Sequence, residues 1–150
     1  MFKMMQAVAR VGNNPVRFIV ADRPNPLGGL LVSGPLLNIT CCASGYGRAP
    51  ITHIHGMTIG ELALFFNAGG LIKPAIAHLE VLPLTGWTRE MTWEHTGLSW
   101  VPPSPNIPTA KSVIAYAASV FLEATTISEG RGTTTPFQIF GAPFLDAQVY

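Results

Sequence analysis

The stretch GMTIGELALFFNAGG, from Gly56 to Gly70, constrains the fold of this chain more than any other. Thr58 and Glu61 have the spacing of a capping box. The hydroxyl accepts a bond from the amide three residues on, and the carboxylate reaches back to the cap amide. Met57 and Leu62 stand at the positions of a hydrophobic staple around it. Gly69 or Gly70 stops the helix. Apolar runs flank this unit. VRFIVA before it suits a buried strand, and IAHLEVLPL after it sets Ile76, Leu79 and Val81 among His78 and Glu80, as in a half-buried strand. At the start, FKMMQAVARVG reads as a helix end, with Phe2, Met5, Val8 and Ala9 on one face and Gly12 as the C-cap. Helix, short turn and buried strand predict an α/β layer. DRPNPLGG ends the first strand with two prolines and two glycines.

The second half is punctuated differently. WVPPSPNIPT has four prolines in ten residues and predicts an ordered or extended loop. Thr109 is placed to cap a helix through AKSVIAYAASVF. FQIFGAPFLDAQVY predicts a short strand or turn and the start of another element.

Composition excludes several classes of function. The 150 residues are enough for one domain with a real core. Nine basic residues face eight acidic ones, and no basic stripe or charge run speaks for nucleic acid. No apolar run reaches the roughly 18 residues of a membrane helix. The N-terminal stretch has neither the apolar core nor the cleavage site of a signal peptide. Cys41 and Cys42 are adjacent, a spacing that seldom forms a disulfide and matches no metal motif. No metal or cofactor is expected. His53 and His55 would share one face of an extended segment, but a third metal ligand is missing.

Chemistry-bearing residues gather in SEGRGTTTPF, Ser128 to Phe137. Glu129 is the first candidate catalytic carboxylate, because polar glycine-containing loops often carry sites; the alternative is a structural pairing with Arg131 or with backbone amides. Arg131 suits a substrate carboxylate or a loop-holding ion pair. Glu123 follows an apolar stretch, where burial would make an ionised acid costly, and is a second catalytic candidate. Asp22 and Arg23 follow a predicted strand, where α/β sheets bind ligands, and Asn25 sits between two prolines. The alternative for Asp22 and Asn25 is a turn that satisfies local amides. His55 precedes the capped helix and could act as acid, base or donor, the alternative being a structural histidine. Asn106 offers a rigid amide in the proline loop. Trp87, Trp93 and Trp100 suit sugar stacking or, for each alone, core packing.

Five stretches in order, FIVADRPNPLGG, HGMTIGELALFFN, GWTREM, TGLSWVPPSPNIPT and SEGRGTTTPFQIFGAPF, resemble a bacterial family long labelled a domain of unknown function. Its characterised members are NamZ-type exo-β-N-acetylmuramidases. The resemblance runs from about Phe18 to Asp146. It implies α/β architecture: the end of a Rossmann-like domain at residues 1–28 and part of a second α/β domain at 29–150. Residues expected upstream in the family, including a Glu-His-Gly stretch, are not in this chain. It further implies a substrate among peptidoglycan-derived muramic-acid glycosides. Glu129 and Glu123 would be catalytic, and Asp22, Arg23, Asn25, His55, Asn106, Ser128 and Arg131 would bind the sugar. An extracellular or periplasmic location would follow from the family. Departures include Ser33 for a Glu, Thr135 and Gln138 for Arg and Glu, and YAA and EATT for Tyr-Pro-Gly and Glu-Gly-Thr-Asn. They leave a second expectation open, a catalytically inactive sugar-binding or interaction remnant.

Overall fold

The computed structural model describes residues 1–11, 16–146 and 148. The chain is α/β, and it divides into two compact units, residues 1–96 and 97–150. The boundary expected at residue 28 falls inside the first unit. That unit runs α1 (Phe2–Ala9), β1 (Phe18–Ala21), β2 (Ser33–Leu36), α2 (Ile39–Cys42), β3 (Thr52–Ile54), α3 (Ile59–Ala68) and β4 (Leu79–Leu82). β1 and β4 pair in parallel, Phe18 opposite Leu79 and Ala21 opposite Leu82. Parallel neighbours need a long crossover, and the chain from β2 through α3 supplies it. β2 and β3 form a separate antiparallel pair with an irregular register.

The core lies where α1 and α3 meet the parallel pair. Met5, Val20, Ala63, Phe66, Ile72 and Ile76 are buried together, and Phe2, Val8 and Ala9 pack against them. The four apolar residues expected on one face of the first helix thus do share it. The Phe2 and Phe66 rings meet edge to face at 5.1 Å, a favoured aromatic geometry. Asn67, in the last turn of α3, accepts from the Ile76 amide at 2.7 Å and donates to the Ile76 carbonyl at 3.1 Å. That pair of hydrogen bonds ties the end of the helix to the lead-in of β4.

Four local expectations change. α1 ends at Ala9 with Arg10 at the cap, and Gly12 lies outside the described residues. β1 is buried only at Val20, while Ile19 is 51% exposed, because helices cover one face of the two-stranded sheet. Cys41 and Cys42 are joined in a disulfide between neighbours. The C-terminal segment holds only an isolated antiparallel bridge, Ser128 to Gly141, with no longer strand among its described residues.

The second unit centres on α4 (Ala110–Ser119), which tightens into a 3₁₀ turn at Val120–Ala124. Thr109 caps α4, accepting from the Ser112 amide at 3.2 Å. The following loop folds back on the helix. Ser119 donates to the Phe137 carbonyl at 3.0 Å, Gln138 to the Ser112 hydroxyl at 3.3 Å, and the Tyr116 and Phe137 rings meet at 5.0 Å.

Met5 is fully buried, so Met5→Ala leaves a cavity in the first unit. The expected loss is about 2–5 kcal/mol. It should appear in urea unfolding as a lower midpoint with an unchanged slope.

Candidate functional site

The first cluster is built around the N-terminus of α3. A helix start leaves backbone N–H groups without partners inside the helix. Here they are met from two sides. The capping box forms as its spacing predicts: Thr58 Oγ1 accepts from the Glu61 amide at 3.2 Å, and Glu61 accepts from the Thr58 amide at 3.0 Å. Asp22, one residue past β1, supplies a further acceptor. Its Oδ1 accepts from the Gly60 amide at 2.7 Å and the Arg23 amide at 2.9 Å, and its Oδ2 accepts from the Thr58 hydroxyl at 2.8 Å. Only the Arg23 bond is the local turn weighed for Asp22 from the sequence. A side chain on Gly60 would stand 2.6 Å from Val81 and 2.8 Å from the Asp22 carboxyl carbon, so this approach requires glycine.

Asn25 and His55 complete this cluster. Asn25 Oδ1 accepts from the Leu27 amide and its Nδ2 donates to the Met57 carbonyl, both at 3.0 Å. Its amide therefore does close a local turn, and it also reaches the segment before α3. His55 Nδ1 accepts from the Met57 amide at 3.1 Å. An accepting Nδ1 carries no proton, so the neutral ring presents Nε2–H. Burial, and then the neighbouring His53, hold the His55 pKa below its usual 6.5. Arg23 is exposed.

The second cluster lies in the second unit. Glu129 is 8% exposed. Its Oε1 accepts from Arg131 Nε at 2.9 Å, and the other arm of Arg131 pairs with Glu123. A hydrogen bond from its own backbone amide, then the Arg131 bond, hold the Glu129 pKa below 4.5, against the opposing effect of burial. Both carboxylates raise the Arg131 pKa above its usual value. The pairing of Glu129 with Arg131 and with an amide is thus present as the sequence allowed. Glu123 is not buried: it and Phe121 both stand exposed in the 3₁₀ turn. The cost of a buried acid does not arise there.

Phe137 closes the loop in a left-handed conformation, φ 64°, rare for a bulky residue. It is held by the Ser119 and Glu129 backbone contacts, by Tyr116, and by Arg131 stacked 5.7 Å from its ring centre. Ser128 accepts from the Gly130 amide at 3.3 Å and pairs with Gly141. Asn106, half-buried, lies in the turn after Ser104, whose hydroxyl accepts from its amide. The nine candidate residues therefore form two groups, Asp22, Arg23, Asn25 and His55 in one unit, Asn106, Glu123, Ser128, Glu129 and Arg131 in the other. Trp93 is buried and serves packing, and the half-buried Trp100 donates to the Ile107 carbonyl. Among the described residues no three His, Cys, Asp or Glu side chains gather as a metal set.

Sequence reasoning missed Arg89, which pairs with Glu61 and donates to the Gly56 carbonyl at 3.1 Å. Its signal was present: Arg89 is the one basic residue of GWTREM.

Comparison with known proteins places these clusters in context. The family model described as "Exo-beta-N-acetylmuramidase NamZ, N-terminal" matches residues 1–111, and its C-terminal counterpart matches residues 114–150. The chain is 46% identical over 144 residues to peptidoglycan beta-N-acetylmuramidase NamZ of Bacillus subtilis (strain 168). That alignment covers 96% of this chain and 34% of the relative, so the chain spans about a third of the curated protein's length. Two crystal structures of DUF1343 family proteins from Bacteroides fragilis NCTC 9343 are also similar. One has a TM-score of 0.87 and 38% identity over 96% of this chain and 36% of its own. The other has a TM-score of 0.83 and 38% identity over 95% of this chain and 38% of its own.

Acid should weaken the two clusters in separate windows. The His55 pKa is depressed, so the unfolded chain binds that proton first, and stability is lost as pH falls below 6.5. The Glu129 pKa is also depressed, so its contribution is complete above 4.5 and is lost as pH falls toward the lower folded value. Thermal melts across pH should show both losses. His55→Asn is expected to remove the first and Glu129→Gln the second.

Proposed function

We propose, because the chain belongs to the exo-β-N-acetylmuramidase NamZ family, that it supplies part of a glycosidase releasing terminal N-acetylmuramic acid from peptidoglycan fragments. The observation that carries this is the match of both family models, which together span residues 1–111 and 114–150. Glycoside hydrolysis needs a group that protonates the leaving oxygen and a carboxylate that attacks, activates water or stabilises the developing cation. Glu129 suits the second role. Arg131 and the backbone amide keep it ionised, which fits a base or nucleophile and not a proton donor. Glu123 shares the same guanidinium and is the second carboxylate of the proposal.

The lactyl carboxylate of muramic acid calls for a cation, since an arginine fork matches it. Arg131 is already spent on Glu123 and Glu129, which favours the exposed Arg23 for this contact. His55 would offer Nε2–H, and Ser128 and Asn106 would meet sugar hydroxyls and the acetamido group. Asp22 and Asn25 would support the site through the turns they close rather than by touching sugar, because their polar atoms already hold backbone and Thr58 groups. The alternative, a non-catalytic sugar-binding module, is favoured by Gln138, which stands where the family has an acid and is engaged with Ser112.

A chromogenic N-acetylmuramide separates the two readings when incubated with the purified chain. Hydrolysis supports the glycosidase, and saturable binding without hydrolysis supports the module. In a complete family member, the substitution equivalent to Glu129→Gln is expected to lower kcat by about 10²–10⁴-fold. Turnover within twofold of wild type would exclude the catalytic role. Arg23→Ala is expected to raise KM for muramic-acid glycosides and leave N-acetylglucosaminides, which lack the lactyl group, unaffected.

A further inference from the structure

One peptide group links Arg89 to His55. Arg89 donates to the carbonyl oxygen of Gly56 at 3.1 Å, and the N–H of Met57 donates to His55 Nδ1 at 3.1 Å. That oxygen and that N–H are the two ends of the same Gly56–Met57 peptide, which is planar and rigid. Fixing one end fixes the direction of the other. A charged donor on the oxygen also polarises the group and strengthens its N–H as a donor.

The rest of Arg89 is held as firmly. A second contact runs from its guanidinium to the Gly29 carbonyl at 3.5 Å, and its other arm pairs with Glu61 in the first turn of α3. Its own carbonyl accepts from the Gly29 amide at 2.7 Å. A side chain on Gly29 would stand 2.9 Å from Arg89 Cγ and 3.0 Å from its Nη1, so the chain comes this close only at glycine. The arginine thus joins the turn after β1, the segment bearing His55 and the start of α3.

We propose that Arg89 is a positioning residue for His55: by gripping the oxygen of the Gly56–Met57 peptide, it aims the N–H that orients the imidazole and leaves Nε2–H as the outward edge. A lysine cannot replace it, since one ammonium on a flexible stem lacks the planar fork that reaches Glu61 and a carbonyl together. The catalytic consequence rests on the muramidase reading above.

Ring-nitrogen NMR of the ¹⁵N-labelled chain tests the proposal. Wild-type His55 is expected as the neutral ring with the proton on Nε2, and a proton on Nδ1 would overturn the assignment without any variant. Arg89→Met should turn this single tautomer into a mixture, and Arg89→Lys should do so to a smaller extent. Wild-type ring signals in both variants would overturn the positioning role. In a complete family member, the equivalent of Arg89→Met should lower kcat/KM about 10–100-fold, the scale of a misaimed group. It should cost little more when His55→Ala is already present, since both act through one ring. Full additivity would count against the proposal. If His55→Ala keeps full turnover while Arg89→Met still scrambles the tautomer, the positioning role stands and the muramidase role of His55 falls.

Discussion

The carboxylate of Asp22 is the contact on which the first unit turns. It leaves the end of β1 and takes the Gly60 amide and the Thr58 hydroxyl at the start of α3. Hydrogen bonds to a charged group are worth about 1.5–3 kcal/mol, more than neutral ones. A negative charge at a helix N-terminus also meets the positive end of the helix dipole. The contact therefore sets where α3 begins relative to the parallel pair. With that start fixed, Ala63 and Phe66 fall onto the core beside Val20 and Ile76. The segment carrying His55 is fixed too, because it runs directly into the cap.

The same contact alters the chemical meaning of this helix start. An open helix N-terminus attracts phosphates and carboxylates. Here the Thr58, Gly60 and Glu61 amides are already held by Glu61, Asp22 and Thr58. In the proposed function, substrate recognition in this unit falls to side chains, Arg23 and His55. In the second unit the logic differs. Arg131 neutralises one of two acids and lies against Phe137, so the loop holds an ionised Glu129 in a rigid frame.

Much of the fold was legible where it depends on near neighbours in sequence. The capping box at Thr58 and Glu61, the cap at Thr109 and the apolar face of α1 each follow from spacings of a few residues. The Glu129–Arg131 pair, two residues apart, was legible for the same reason. What was not legible crosses the chain. Asp22 reaches Gly60 over 38 positions and Arg89 reaches Gly56 over 33, distances at which no periodicity reports a contact. The β2–β3 pair was also missed, since exposed SGPL lacks the alternation that marks a half-buried strand. The exposure of Glu123 was missed because Phe121, in the apolar stretch before it, is itself exposed.

Amide hydrogen exchange at Gly60 tests most directly whether Asp22 holds the start of α3. The Gly60 N–H, bonded to Asp22, should exchange slowly in the wild-type chain and at least tenfold faster in Asp22→Ala. The amides in the last turns of α3, which have partners inside the helix, should stay slow. An equal Gly60 rate in the two proteins would contradict the account.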